Sequence, residues 1–281
     1  MNQYDKLKRK SGIGKAFRHV VLIFWCATAV FPFLWVFLIS FKKNNQIFTD
    51  PFGIPEPWIT SNFPTVFQKL DISTGLWNSL IYSFATVFLV CLLSSLTGFY
   101  LAKYARRKLL YMYFILGMMI PVQAIAIPMF VKLKDMGLNN TRPGIILVYT
   151  VVELGFAIFV MTGFIKRSVP DELLEAAAID GCSVVGTFFR VAFPLMKTGI
   201  ATVGTFVFLH VWNEFFFGLI LLTNSKLTSL NLTTYKLRGQ YSSDYGLLAA
   251  GIIVLAIPAL VIYAIFQEQV VKGLTAGAVK E

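Results

Sequence analysis

The chain has 281 residues, 57% of them hydrophobic and 14% charged, with a mean hydropathy of +0.70. These proportions exclude an ordinary soluble domain and indicate a polytopic membrane protein. The net charge of +11 would suit a nucleic-acid binder, but the cations gather largely at the ends of apolar runs, so membrane topology accounts for them and no nucleic-acid partner is expected.

Residues 1–18 form a basic amphiphilic tail that includes Lys6, Lys8, Arg9, Lys10, Lys15 and Arg18. Such a tail either rests on an anionic inner leaflet or serves only as a topology signal. Six apolar runs follow, at 19–41, 77–102, 109–131, 144–165, 198–222 and 245–267. Each is near the roughly 20 residues that cross a bilayer as a helix. They predict an all-α polytopic membrane protein with one domain of six transmembrane helices over 19–267. The first run is too long for a signal peptide and lacks a small-x-small cleavage site, so it reads as an uncleaved span.

The loop at 42–76 contains Pro51, Pro55, Pro57 and Pro64, a density that argues against regular structure. Its Trp58 and Phe63 suit interfacial anchoring or contact with an external protein. The second run opens with Trp77-Asn78-Ser79 and stops against Lys103, Arg106, Arg107 and Lys108. Pro121 and Pro128 predict a kink in the third run. Glu153 falls near the middle of the fourth. An ionisable side chain at that depth is costly and usually faces protein or water, which makes Glu153 a pathway candidate. The alternatives are a protonated acid hydrogen-bonded inside the bundle, or a position nearer the outer face.

Residues 166–197 form a polar island between apolar runs. Ser168, with Asp171 three residues on and Pro170 between them, predicts a helix start, and Gly181 predicts its stop. The helix over 168–181 would make about three turns. Leu173, Ala176, Ala177 and Asp180 share one face of it, and Glu172, Glu175 and Ile179 another. Asp171 and Glu172 complement the helix dipole. Glu175 lies beyond the first turn and Asp180 at the unfavourable end, so these two acids call for a basic partner or a solvated interfacial position.

The fifth run carries His210 and Trp212-Asn213-Glu214. Asn213 and Glu214 offer groups that bind hydroxyl-rich ligands, and Trp212 a flat face for a sugar ring; an interhelical hydrogen bond suits Asn213 equally. His210 has no partner at metal spacing and reads as structural. The loop at 223–244 is polar, and Tyr235, Arg238, Gln240 and Tyr241 are its candidates for docking an external protein. The tail at 268–281 holds Gly273 and Gly277 and reads as flexible. Lys166, Arg167, Arg190, Lys197, Lys272 and Lys280 place both termini and the polar island in the cytoplasm.

Cys26, Cys91 and Cys182 give neither a disulfide framework nor metal spacing. Gly181-x4-Gly186-Thr187 lacks the lysine of a phosphate-binding loop, and neither HExxH nor G-x-S-x-G occurs. No cofactor, metal or enzymatic chemistry is expected of this chain.

Glu175-Ala176-Ala177-x-x-Asp180-Gly181, followed thirteen residues later by Pro194, resembles the EAA loop of bacterial ABC importer permeases. Asn78-Ser79-Leu80, Pro121-x-Gln123-x4-Pro128, Trp212-Asn213-Glu214-Phe215, Gly246-Leu247-Leu248-Ala249-Ala250 and the stretch from Lys272 to Lys280 extend the likeness over nearly the whole chain. Together they resemble the carbohydrate branch, that of the smaller maltose-importer permease. Val191, Phe193 and Thr198 depart mildly from the pattern. The resemblance implies a type I importer fold and ATPase coupling through Glu175, Ala176, Ala177, Asp180 and Gly181. It also implies a second, non-identical permease, two ATPase subunits, and an extracellular or periplasmic solute-binding protein. Glu153, Asn213 and Glu214 remain the pathway candidates. Other readings are an ABC permease for glycerol phosphate or another small polar solute, and a self-contained ion-coupled transporter using Glu153 and Glu214. No arginine lies at the centre of a span, which favours neutral sugars over phosphates.

Overall fold

A computed structural model describes residues 3–105, 108–240 and 244–278, and among these it contains helices and no strand. Helix α1, Gln3–Ile39, runs without a break from the basic tail through the first apolar run. The proline-rich loop is not irregular throughout: α2, Asn44–Thr49, and α3, Asn62–Leu70, form within it. Pro64 lies in the first turn of α3, where its missing N–H has no helical partner to lose. Helix α4, Ile72–Lys103, is the second span.

The third run is broken rather than kinked. Helix α5, Lys108–Met118, stops before Pro121, and α6, Ala126–Asp135, starts after a series of turns. Pro121 lacks a donor and forces its predecessor out of helical geometry, while Pro128 is tolerated in the first turn of α6. Helix α7, Arg142–Ser168, starts where the Thr141 hydroxyl accepts from the Gly144 N–H at 3.1 Å. The polar island folds into α8, Asp171–Ile179, α9, Val184–Thr187, a π-helical turn at Phe188–Ala192, and α10, Phe193–Leu195. Pro194 explains the π turn. Its ring disfavours the ordinary ladder, and the Phe193 N–H bonds instead to Phe188 five residues back.

The fifth run is also divided, into α11, Lys197–Trp212, and α12, Phe216–Leu221. Segments 184–195 and 197–212 meet at a bend of 76°. Helix α13, Leu230–Gln240, precedes α14, Tyr245–Ala278, which continues through Pro258 and through Gly273 and Gly277, so the described part of the expected flexible tail is helical. Among the described residues four helices are long and apolar enough to cross a membrane, or five if the bent pair is one span. The architecture is thus all-helical and polytopic, with the third and fifth runs built from pieces.

The chain forms two compact units, Met1–Lys69 with Leu237–Val254, and Leu70–Lys236 with Leu255–Glu281. In the first, Ile39, Ile47 and Ala249 are buried together, and Asn62 Nδ2 donates to the Ser40 and Lys42 carbonyls at 2.9 and 3.2 Å. In the second, α4, α7 and α11 pack around Val90, Ala157, Met161, Ile165, Val203 and Val207, all fully buried. Close approach depends on small residues, as membrane helix pairs require. At Gly98 an added Cβ would lie 3.2 Å from both Met161 Cβ and the Thr162 nitrogen. Gly98→Val is therefore expected to destabilise this unit by about 1–3 kcal/mol, read as a lower unfolding temperature of the detergent-solubilised chain.

Candidate functional site

Helix α8 begins later than its sequence suggests. Helix α7 continues through Ser168, so Ser168 caps nothing; Pro170, at φ −62° and ψ 144°, occupies the cap position and Asp171 and Glu172 fill the first turn. The C-terminal end matches the sequence expectation. Gly181, at φ +75°, donates to the Ala178 carbonyl at 3.0 Å and Cys182 donates to Ala177 at 2.9 Å, a Schellman closure with Asp180 at the cap.

One side of α8 is seated and the rest is bare. Ala177 is buried, and Leu174 packs on the main core. Glu175, Ala176, Asp180 and Gly181 are exposed, as are Leu173, Val184 and Val185, and Ile179 is 87% exposed. Among the described residues neither the Glu175 nor the Asp180 carboxylate has a hydrogen-bond or ion-pair partner. Acids and large apolar side chains bared together on a nine-residue helix mark a protein-contact surface. Besides this seat, its N-terminal end is tied to two spans: to α7 by the two-residue junction Val169–Pro170, and to the end of α4 by Lys103. The Lys103 ammonium reaches Asp171 Oδ1 at 2.6 Å, with the lysine side chain 6% exposed. A cation so buried needs that partner.

The pathway candidates do not converge as one group. Glu153 is buried and its Oε1 lies 2.9 Å from Nδ1 of His210, whose imidazole faces outward. The Glu214 carboxylate serves the break in the fifth run. It accepts from the Phe217 and Gly218 N–H groups at 2.7 and 3.2 Å and from the Tyr149 hydroxyl at 2.6 Å, closing the start of α12. Asn213 is exposed and donates to the Leu209 carbonyl at 2.8 Å. Trp212 does not offer a sugar platform. It is 1% exposed, stacks on Phe208 at 5.6 Å, and donates its Nε1 hydrogen to Leu255 at 3.0 Å.

Of the docking-loop candidates, Tyr235 is exposed on α13 and packs edge-on against Phe215 with centroids 4.7 Å apart. The side chains of Arg238 and Gln240, and the whole of Tyr241, lie outside the described residues.

A family model for the binding-protein-dependent transport system inner membrane component matches residues 92–275. This chain belongs to that family. The family's chains are inner-membrane transport components, which agrees with several apolar helices of spanning length. Among relatives of this permease, the diacetylchitobiose uptake system permease protein NgcG of Streptomyces coelicolor is 34% identical, the match covering 93% of this chain and 88% of that one. The multiple sugar-binding transport system permease protein MsmG of Streptococcus mutans is 32% identical over 98% and 100% of the two chains. A crystal structure of a bacterial ABC transporter that imports the acidic polysaccharide alginate shares the fold, with a TM-score of 0.78 at 22% identity, over 95% of this permease and 98% of that chain.

Sequence reasoning missed the part played by Asn78. Its amide donates to the Lys226 and Thr228 carbonyls at 2.9 and 3.0 Å, and its oxygen accepts from Arg142 Nη2 at 3.0 Å. Ser79 Oγ accepts from the Leu230 N–H at 2.8 Å, and Asn140 Oδ1 from Thr223 and Asn224, both at 3.0 Å. These side chains hold the 223–230 segment of the permease in place. The Asn78-Ser79 pair was visible as a motif, but its partners in the 223–230 segment lie about 150 residues away in sequence and Arg142 lies 64 away. Glu214→Ala is expected to lower stability by about 2 kcal/mol, by uncapping α12 and stranding the Tyr149 hydroxyl. Asn213→Ala should leave the unfolding temperature nearly unchanged, since the side-chain bond it removes, to the Leu209 carbonyl, is solvent-exposed and Asn231 bonds to the Asn213 backbone carbonyl.

Proposed function

We propose that this permease is one transmembrane subunit of an ATP-driven importer that moves a sugar or oligosaccharide into the cell. The observation that carries the reading is α8: a short, largely exposed, acidic and apolar helix attached at one end to α4 and α7, two of the three helices that pack as the core of its unit. Family membership and relatives named for diacetylchitobiose, multiple sugars and trehalose support the cargo class.

In this reading α8 sits in a cleft of a separate ATPase, with Glu175, Ala176, Asp180 and Gly181 at the contact, while Ala177, buried, seats the helix on its own unit instead of touching the ATPase. Closure of an ATPase pair displaces α8, and α7 and α4 carry the displacement into the membrane as rigid bodies. The positive-inside bias puts α8 and both termini in the cytoplasm. One coupling helix per chain implies a second permease and two ATPase subunits, with ATP hydrolysis on the ATPase chains, and the resemblance to the carbohydrate branch implies that the second permease is non-identical. A solute-binding protein docks outside against the 223–244 segment, with Tyr235, Arg238, Gln240 and Tyr241 as its contacts. An alginate transporter solved with its substrate-loaded periplasmic protein, at TM-score 0.69, supplies a precedent for that arrangement. Glu153 and Asn213 border the route, while Glu214 supports it from within the bundle.

Glu175→Lys reverses charge at an exposed position, so the variant should insert and fold as wild type. It is expected to abolish sugar-stimulated ATP hydrolysis in proteoliposomes containing the whole importer. Wild-type stimulation in that variant would remove Glu175 from the contact. Uptake by the permease reconstituted without any ATPase would instead favour an ion-coupled transporter.

A further inference from the structure

The pairing of Glu153 with His210 is not accounted for by coupling to an ATPase. His210 lies midway along the apolar run 198–222 and Glu153 midway along 144–165. The Glu153 side chain is 11% exposed and the His210 side chain 79%, with 2.9 Å between Oε1 and Nδ1. The contact with Glu153 takes up Nδ1 and leaves Nε2 as the outward polar atom of the ring. Nε2 has no hydrogen-bond partner among the described residues. A polar ring bared to lipid at that depth is costly, so it faces water or another polypeptide.

Its surroundings have the chemistry of a ligand site. Asn213, one turn further along the same face, is exposed, and with Nδ2 held by Leu209 its Oδ1 is available. Phe156, one turn from Glu153, and Phe206, one turn from His210, meet edge to face with centroids 5.8 Å apart, both half-buried. Two outward polar atoms next to an aromatic pair match a molecule that presents hydroxyl groups and apolar C–H faces.

We infer that His210, held in orientation by Glu153, contacts the hydroxyl groups of a neutral sugar on its way through the membrane. The inference rests on the importer reading above and adds a ligand-contacting residue to it. Glu153 acts here as a positioning residue.

The test uses the full importer with its binding protein in proteoliposomes. A panel of neutral sugars including diacetylchitobiose and trehalose is screened for ATP-dependent uptake, and the best-transported sugar becomes the probe. Binding of that sugar is then titrated on the importer held with a non-hydrolysable ATP analogue. His210→Leu is expected to weaken binding about tenfold, as loss of a hydrogen-bonding partner does, while His210→Gln recovers most of the affinity. Glu153→Leu should show a comparable loss, and the double variant little more than either alone, because the two side chains act as one unit. With Cys26→Ser, Cys91→Ser and Cys182→Ser in place, His210→Cys should react with a water-soluble thiol reagent, and the probe sugar should slow that reaction. Unchanged binding in His210→Leu, or a thiol at position 210 inert to the reagent, overturns the inference and leaves the importer reading standing. Failure of every neutral sugar to show ATP-dependent uptake overturns both.

Discussion

Where Gly98 meets Met161 and Thr162, α4 and α7 approach so closely that even a single added carbon would press on the opposite backbone. Lipid supplies no hydrophobic drive to bring two apolar helices together, so their association depends on such close contact and on the fit of buried side chains around it. The fully buried residues Ala157, Met161 and Ile165 follow one stripe of α7 and fix its rotation against α4. Everything that makes α8 useful follows from that pair. Two residues separate the end of α7 from the start of α8, and Lys103 joins the same start to the end of α4. A helix with so little of its own surface buried could not hold a direction in water unaided. Anchored to two packed spans, it can move them and be moved by them.

The other end of the same unit is organised by polar side chains. Asn78, Ser79, Tyr82, Asn140 and Arg142 all serve hydrogen bonds that hold or frame the 223–230 segment. In a bilayer each backbone group left without a partner is expensive, so breaks in helices survive only where neighbours satisfy them. Glu214 does this within the fifth run: its carboxylate meets the free N–H groups of α12, and the Tyr149 hydroxyl adds a third bond. Its position in mid-run therefore reflects the construction of a break as much as any traffic past it.

Much of this was legible in the residues. Six apolar runs forecast the helical architecture, Pro121 marked the third run as irregular although it is broken where a kink was expected, and Gly181 marked the end of α8 because only a residue tolerant of positive φ closes a helix that way. The start of α8 was misread by three residues, since Ser168 continues α7 and an extended Pro170 takes the place a capping serine would hold. The division between α11 and α12 left no local sign, as neither proline nor glycine stands at 213–215. Trp212 resembled a ligand face because of its polar neighbours, but packing against Phe208 and a bond to Leu255 bury it. The Glu153–His210 contact joins residues 57 apart on different helices, and no periodicity within either helix encodes it.

The central claim is that α8 is the handle by which a separate nucleotide-hydrolysing protein moves this permease. The most direct measurement replaces Ile179, the most exposed large apolar residue of that helix, with a photo-reactive amino acid and illuminates membranes containing the whole importer. The account predicts a covalent adduct to the ATPase subunit, with a yield that changes when ATP is added. Adducts confined to lipid, or to a protein on the opposite side of the membrane, would contradict it.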